Sequence, residues 1–192
     1  MNQIDKAIEI ALRAHMGQKD IDGKPVILHP LTVGMGGSTE AEIVAGFLHD
    51  VVEDTDISFD DLLSEGIDKD VVASLKLLTH NPDVPYEVYV RAIVKSGDRT
   101  ALSVKTNDLR HNLKRGCAGG YWRHVAKHLR GLAIVNGEKP LQWDRILSDP
   151  QKGPCWKVRL KVELGERELS EALKEEGVSE DRYRDFFMDE AF

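Results

Sequence analysis

The sequence predicts a mostly helical single domain, on three observations. Apolar residues recur with helical spacing along most of the chain, Gly, Pro and Asn bound the periodic segments, and strand-like alternation is confined to one short stretch. A length of 192 residues suits one domain that buries its own core without disulfides or a structural metal.

The elements follow in order. Ile4, Ala7, Ile8, Ala11 and Leu12 mark a first helix, with Asn2 as its N-cap and Gly17 as its stop, and the apolar stripe continues onto His15. A second helix is expected from Pro30, a favoured first helical position, ended early by Gly34, Gly36 and Gly37. Thr39 and Glu42 form a capping box ahead of Ile43, Val44, Phe47, Leu48, Val51 and Val52, which predicts one continuous helix through His49 and Asp50. Ser58 with Asp61 is a second, weaker start of this kind. Further helices are expected around residues 69–79, 86–96, 100–115, 121–136 and 165–176. Trp156, Val158, Leu160 and Val162 alternate with charged residues and predict a short strand at 156–162. Residues 140–154 read as irregular with a helical turn. The acidic tail from Glu163 to Glu190 reads as one or two solvated amphipathic helices anchored by Leu164, Leu169, Leu173 and Phe186.

Composition narrows the function. The longest apolar runs, such as Ile43 to Leu48, fall far short of the roughly 20 residues a membrane span needs, and the N-terminus is an amphipathic helix rather than a secretion signal. A cytoplasmic protein is expected, with no membrane partner. Cys117 and Cys155 form no C-x-x-C pair and are expected as free thiols. A net charge of −7 argues against a nucleic-acid partner. Its distribution says more: residues 40–70 hold eleven Asp or Glu against Lys69, while residues 105–130 hold seven Lys or Arg against Asp108. Carboxylates that hold a cation beside a basic wall that draws in phosphate would produce this segregation, as would two solvated faces of opposite sign. An oligomer is compatible with these features and not required by them.

Residues four apart share a helix face, so His49 lies over Glu53 and Asp50 over Asp54, four polar groups in one stripe of an otherwise apolar helix. Burying carboxylates is costly without a compensating cation, and a metal would supply one. His29, between Leu28 and Pro30, and Asp108, flanked by Lys105 and Asn112 on one helix face, are candidate ligands at a distance. Taken alone, such a histidine is more often structural and such an aspartate more often half of a salt bridge. His15 has core packing as its alternative to a role near the site, and His111, His124 and His128 read as solvent-facing or phosphate-side residues rather than a second metal site.

The pattern His29, His49–Asp50, Asp108 resembles the H…HD…D signature of the HD phosphohydrolase superfamily. The surrounding words, Ala14–Gln18 (AHMGQ), His29–Leu31 (HPL), Phe47–Thr55 (FLHDVVEDT) and Lys105–Leu113 (KTNDLRHNL), resemble the hydrolase domain of RelA/SpoT-type alarmone enzymes and their small stand-alone hydrolases. The resemblance covers roughly residues 4–136 and leaves a divergent helical part at 137–192. It implies an all-α HD-domain bundle and a nucleotide substrate carrying a 3′-diphosphate, (p)ppGpp-type, hydrolysed with one divalent metal, Mn²⁺ foremost, to release pyrophosphate. It also implies His29, His49, Asp50 and Asp108 as metal ligands and Glu53 with Asp54 as the catalytic pair. Lys19, Lys105, Arg110, Asn112, Lys114 and Arg115 are the expected substrate contacts, of which Lys105 and Asn112 fall on the motif itself. The chain has no room beside this domain for the synthetase domain of the long enzymes, so hydrolysis alone is expected. Two departures bear on the base: the first motif of the resembled domains carries an arginine and a tyrosine where this chain has Asp20 and Val26. A third is Asn107, in place of alanine before Asp108, followed by Leu109–Arg110 rather than Arg then Leu. A phosphohydrolase for a different nucleotide, and a nucleotide sensor without turnover, stand as alternatives; intact Glu53 and Asp54 speak against the sensor.

Overall fold

The computed structural model describes residues 2–189, and thirteen helices cover most of them. The single extended pairing among the described residues is an isolated antiparallel bridge between Lys19 and Pro25. The all-α expectation holds. The described residues group into two compact units, one running to His111 and including Gly131–Glu138, the other made of Asn112–Arg130 and the residues from Lys139 onward.

In the first unit α1 spans Gln3–Ala14, and the Asn2 side chain accepts from the Asp5 amide at 2.8 Å, as its position predicts. Its apolar face buries Ala7, Ile10 and Ala11. Helix α2, Leu28–Met35, begins two residues before Pro30. Thr39 caps α3, Glu40–Leu48, by accepting from the Glu42 amide at 3.3 Å. The reciprocal half of that capping box is displaced: the Glu42 carboxylate accepts from the Ser38 amide and the Ser103 hydroxyl, each at 2.9 Å.

Helix α3 packs against α1 and α2. The crossing with α2 is made at two glycines. A Cβ on Gly46 would lie 2.5 Å from the Gly34 Cα, and one on Gly34 would lie 2.3 Å from the Phe47 ring. Only bare backbones approach this closely, and the approach carries the start of α2, with His29, toward the end of α3.

The continuous helix expected through His49 and Asp50 is interrupted there. Helix α4 covers Val51–Asp54 only, and Asp50 sits at φ −95°, ψ −9°. The His49 Nδ1 is 2.8 Å from the Gly46 carbonyl, a side-chain bond that competes with the amide ladder at this turn. Helices α5 (Phe59–Ser64), α6 (Lys69–Leu78) and α7 (Tyr86–Ser96) follow, and Ser58 with Asp61 forms a complete capping box. Asp98 caps α8, Arg99–Gly119, by accepting from the Ala101 amide at 2.8 Å. Helix α9 is Trp122–Val135. Val44, Leu48, Val51, Leu62, Val90 and Ala101 are fully buried and form the centre of this unit's core.

The second unit contains the part of α8 from Asn112, the part of α9 up to Arg130, and α10 (Trp143–Ser148), α11 (Gly153–Glu163), α12 (Leu169–Glu176) and α13 (Glu180–Asp189). The strand expected at 156–162 is instead part of α11. Its alternation comes from two faces buried at once. Val158 and Val162, four apart, pack with Cys155 in the unit's core. Trp156, four before the buried Leu160, meets Trp143 and Phe187 edge-on at 5.3 and 5.2 Å. The tail forms α12 and α13, with Leu173 buried and Leu169 and Phe186 packed on the core; Glu190 lies outside the described residues. Both cysteines are free and buried, and burial pushes the Cys117 thiol up to about 12. Among the described residues no helix is long and apolar enough to cross a membrane.

Candidate metal centre

Three elements of the first unit bring four side chains together. His29 lies in the first turn of α2, His49 and Asp50 form the joint between α3 and α4, and Asp108 lies in the middle of α8. His29 Nε2 is 3.2 Å from Asp108 Oδ1 and 3.5 Å from Asp50 Oδ2. His49 Nε2 is 3.1 Å from Asp50 Oδ1 and 3.9 Å from Asp108 Oδ1. Ligand-capable atoms of His29, His49 and Asp50 all lie within 4.8 Å of one another.

The chemistry of this donor set fits a divalent cation. His49 is fixed through Nδ1 on the Gly46 carbonyl, while its Nε2 is buried, has no hydrogen-bond partner and faces carboxylates. An imidazole tethered through one nitrogen with the other left bare is how a metal-binding histidine is oriented. His29 is also held from behind: its Nδ1 is 2.6 Å from the His111 Nδ1, and the two rings stack 4.9 Å apart at 12°. His111, which the sequence places toward solvent or phosphate, faces His29 instead. Its signal in the sequence was its place three residues after Asp108 on one helix face, but its partner on α2 is 82 residues away.

Asp108 is 6% exposed, and its neutralising partner is Lys105, whose Nζ is 2.8 Å from Asp108 Oδ2. Burial alone would raise the Asp108 pKa; Lys105, His29 and His49 outweigh it and hold the carboxyl well below its usual range. Burial likewise works against the Lys105 ammonium, and Asp108 with Tyr89 and Tyr86 keeps it charged, its pKa well above the ordinary value. The ammonium lies 5.1 Å from the Tyr89 ring centre and 5.5 Å from that of Tyr86. Lys105, expected as a substrate contact, is thus 8% exposed and committed to Asp108.

Glu53 and Asp54 lie on α4, directly after the joint. Glu53 accepts from the His80 amide at 2.9 Å, and the His80 ring rests 4.6 Å from that of Tyr89. The Asp54 carboxyl is pushed above its ordinary value by burial first, then by the negative charges of Asp50 and Glu53. The direction of that shift makes the carboxylate a better proton acceptor than a free one.

Of the remaining expected substrate contacts, Lys19 and Arg110 are exposed in the first unit. Asn112, Lys114 and Arg115 group with the second unit, where Lys114 lies 3.5 Å from Glu166. Asp20 staples its own loop: its Oδ1 accepts from the amides of Asp22 and Lys24 at 2.9 and 2.8 Å. Asn107 fills space left by a missing side chain, since a Cβ on Gly36 would come within 2.9 Å of its amide nitrogen.

No family model matches the chain. It is 34% identical over 124 residues to a GTP pyrophosphokinase of Streptomyces antibioticus, a match covering 59% of this chain and 15% of that protein. It is 34% identical over 126 residues to a probable guanosine-3′,5′-bis(diphosphate) 3′-pyrophosphohydrolase of Synechocystis, covering 58% of this chain and 16% of that one. A guanosine-3′,5′-bis(diphosphate) 3′-pyrophosphohydrolase of Aquifex aeolicus is 38% identical over 64 residues, 31% of this chain and 9% of its own length. The chain thus spans less than a fifth of each of these relatives. Among solved structures, a metazoan SpoT orthologue described as hydrolysing ppGpp and acting in starvation responses superposes with a TM-score of 0.56 at 20% identity, covering 87% of this chain and 98% of that one. At that identity the likeness is one of fold.

Proposed function

We propose that this RelA/SpoT hydrolase-like HD domain is a metal-dependent phosphohydrolase that removes the 3′-diphosphate of a (p)ppGpp-type nucleotide as pyrophosphate. The observation that carries the reading is the convergence of His29, His49, Asp50 and Asp108 with the His49 Nε2 buried and without a hydrogen-bond partner. These four side chains would hold one divalent cation. Two imidazoles and two carboxylates suit Mn²⁺ better than metals that prefer thiolates. When bound, the cation supplies Lewis-acid charge at the phosphoryl group and acidifies water.

The chain's own residues do the rest. Lys105 balances the Asp108 charge in the absence of other cations, so the carboxylate stays ionised and in place. Glu53, steadied by the His80 amide, orients the attacking water, and Asp54, with its raised pKa, takes up its proton. The exposed cations Lys19 and Arg110 meet the phosphates. The two buried, unpaired thiols suit a reducing cytoplasm.

A second reading, turnover of a different nucleotide by the same chemistry, is favoured at one position. The Asp20 carboxylate is engaged in its own loop where the resembled domains carry an arginine. The deciding assay incubates the protein and Mn²⁺ with 3′- and 5′-phosphorylated guanosine and adenosine nucleotides, following phosphate and pyrophosphate separately. Pyrophosphate from guanosine 3′,5′-bis(diphosphate) is expected. Turnover of another nucleotide alone would establish the second reading, and none with any of them would remove both.

A further inference from the structure

His15 and Gln18 lie outside the four-residue cluster, at the end of α1 and the start of the loop to α2. His15 is 2% exposed. Its Nδ1 lies 2.8 Å from the Gln18 Oε1, and the Gln18 Nε2 donates to the backbone carbonyl of Asp54 at 3.4 Å. The backbone of Gln18 is fixed as well: its amide donates to the His15 carbonyl and its carbonyl accepts from the Val26 amide, both at 3.1 Å. One side chain thus ties the end of α1 and the 18–26 loop to the last residue of α4.

The hydrogen-bond chemistry allows one arrangement. The Asp54 carbonyl can only accept, so the Gln18 amide nitrogen must face it and the Gln18 oxygen must face His15. The Gln18 amide oxygen carries no hydrogen and can only accept, so the His15 Nδ1 carries the proton. In the neutral ring Nε2 is then a bare acceptor, and it is buried with no hydrogen-bond partner. A ring buried only for packing would have no need of a fixed tautomer, and apolar residues of similar volume would fill the space without an orphaned nitrogen. Asp54 is also the final residue of a four-residue helix, with a single turn of its own to hold it.

We propose, resting on the role given to Asp54 above, that His15 is a positioning residue for the hydrolytic reaction, acting through Gln18 to hold the C-terminal end of α4. The His15 Nδ1–H fixes the Gln18 amide, the amide fixes the Asp54 backbone, and the backbone fixes where the Asp54 carboxyl stands relative to the water it serves. Substrate and metal binding need none of this.

The test uses the full chain with His15→Leu, Gln18→Leu, their double variant, and His15→Asn, whose amide nitrogen can stand in for Nδ1–H. With Mn²⁺ and guanosine 3′,5′-bis(diphosphate), each leucine variant should lower kcat about tenfold, with KM and Mn²⁺ affinity unchanged. The double variant should be no slower than either single one, and His15→Asn should recover most of the rate. NMR on the metal-free protein gives a readout free of turnover. His15 should be the Nδ1–H tautomer, and the Asp54 carbonyl resonance should move in Gln18→Leu and return toward its wild-type position in His15→Asn. Additive losses, no recovery in His15→Asn, or a protonated Nε2 in the wild type would overturn the proposal. If the wild type turns nothing over, the assignment of function fails, and the tautomer and the Asp54 resonance still decide whether the strap exists. Should His15→Leu fail to fold, Gln18→Leu and His15→Asn carry the comparison.

Discussion

Each unit buries one lysine against carboxylates, and the two clusters are balanced differently. In the second unit Lys161 donates to Glu175 and Glu176, and Arg167 also binds Glu175, so two cations meet two acids and their hydrogen bonds close on one another. In the first unit the carboxylate that Lys105 meets is that of Asp108, with the Tyr86 and Tyr89 rings beside it. Asp50 is faced by the imidazoles of His29 and His49; among the described residues no Lys or Arg pairs with Asp50, Glu53 or Asp54, and the His49 Nε2 makes no hydrogen bond. A closed cluster needs nothing more and reads as structure. An open one, with acid in excess and a bare imidazole nitrogen facing it, is completed by a cation from outside.

The contrast can be broken at several points, the largest first. Asp108→Ala should abolish turnover and release the metal, because it removes a ligand and leaves the Lys105 ammonium without its counter-charge; Mn²⁺ binding by calorimetry checks this. Full Mn²⁺ affinity in that variant would take Asp108 out of the ligand set. Glu53→Gln should keep the metal and slow turnover by about two to four orders of magnitude, the usual worth of general acid–base assistance. An equal loss of Mn²⁺ affinity would make Glu53 a ligand instead.

The two lysines should then separate. Lys105→Met leaves the buried Asp108 carboxylate facing two imidazoles without its ammonium partner and should destabilise the metal-free protein by about 3 kcal/mol. Saturating Mn²⁺ should recover much of that loss, because the cation takes over the neutralising charge. Lys161→Met, which loses an ion pair to the solvated Glu175, should destabilise the protein less, with Mn²⁺ affinity unchanged. Denaturant melts with and without Mn²⁺ distinguish them, and equal rescue of both variants would erase the contrast.

The smallest effect lies in acid. Hydrogen bonds from Arg167 and then Lys161 hold Glu175 at about 2, against an ordinary value of 4.5. A carboxyl depressed on folding contributes stability that is fully present above its unfolded pKa and is lost as pH falls toward the folded one. Melting temperature should therefore fall from near pH 4.5 toward pH 2, and Glu175→Gln should flatten that fall slightly. An unchanged acid limb would mean that the Glu175 bonds contribute nothing.

What was legible in the sequence was whatever depends on near neighbours. The Asn2 cap, the Ser58–Asp61 box and most helix limits follow from spacing. The four clustered side chains were legible through motif words, which carry information about distant pairs that periodicity does not. What escaped depends on tertiary contact. The stacking of His111 on His29 and the crossing at Gly34 and Gly46 join separate helices; helical spacing sets His111 beside Asp108 but does not name its partner on α2. Trp156–Val162 imitates a strand because two i, i+4 ladders are buried at once. Lys105 reads as a phosphate contact from its charge, while its burial against Asp108 has no mark in the sequence.

The central claim is that His29, His49, Asp50 and Asp108 share one cation, and a crystal soaked in Mn²⁺ tests it most directly. Anomalous scattering should give one strong peak between the four side chains, with ligand distances of roughly 2.0 to 2.4 Å. A fully occupied peak elsewhere, or none at millimolar Mn²⁺ with these side chains still converged, would contradict the account.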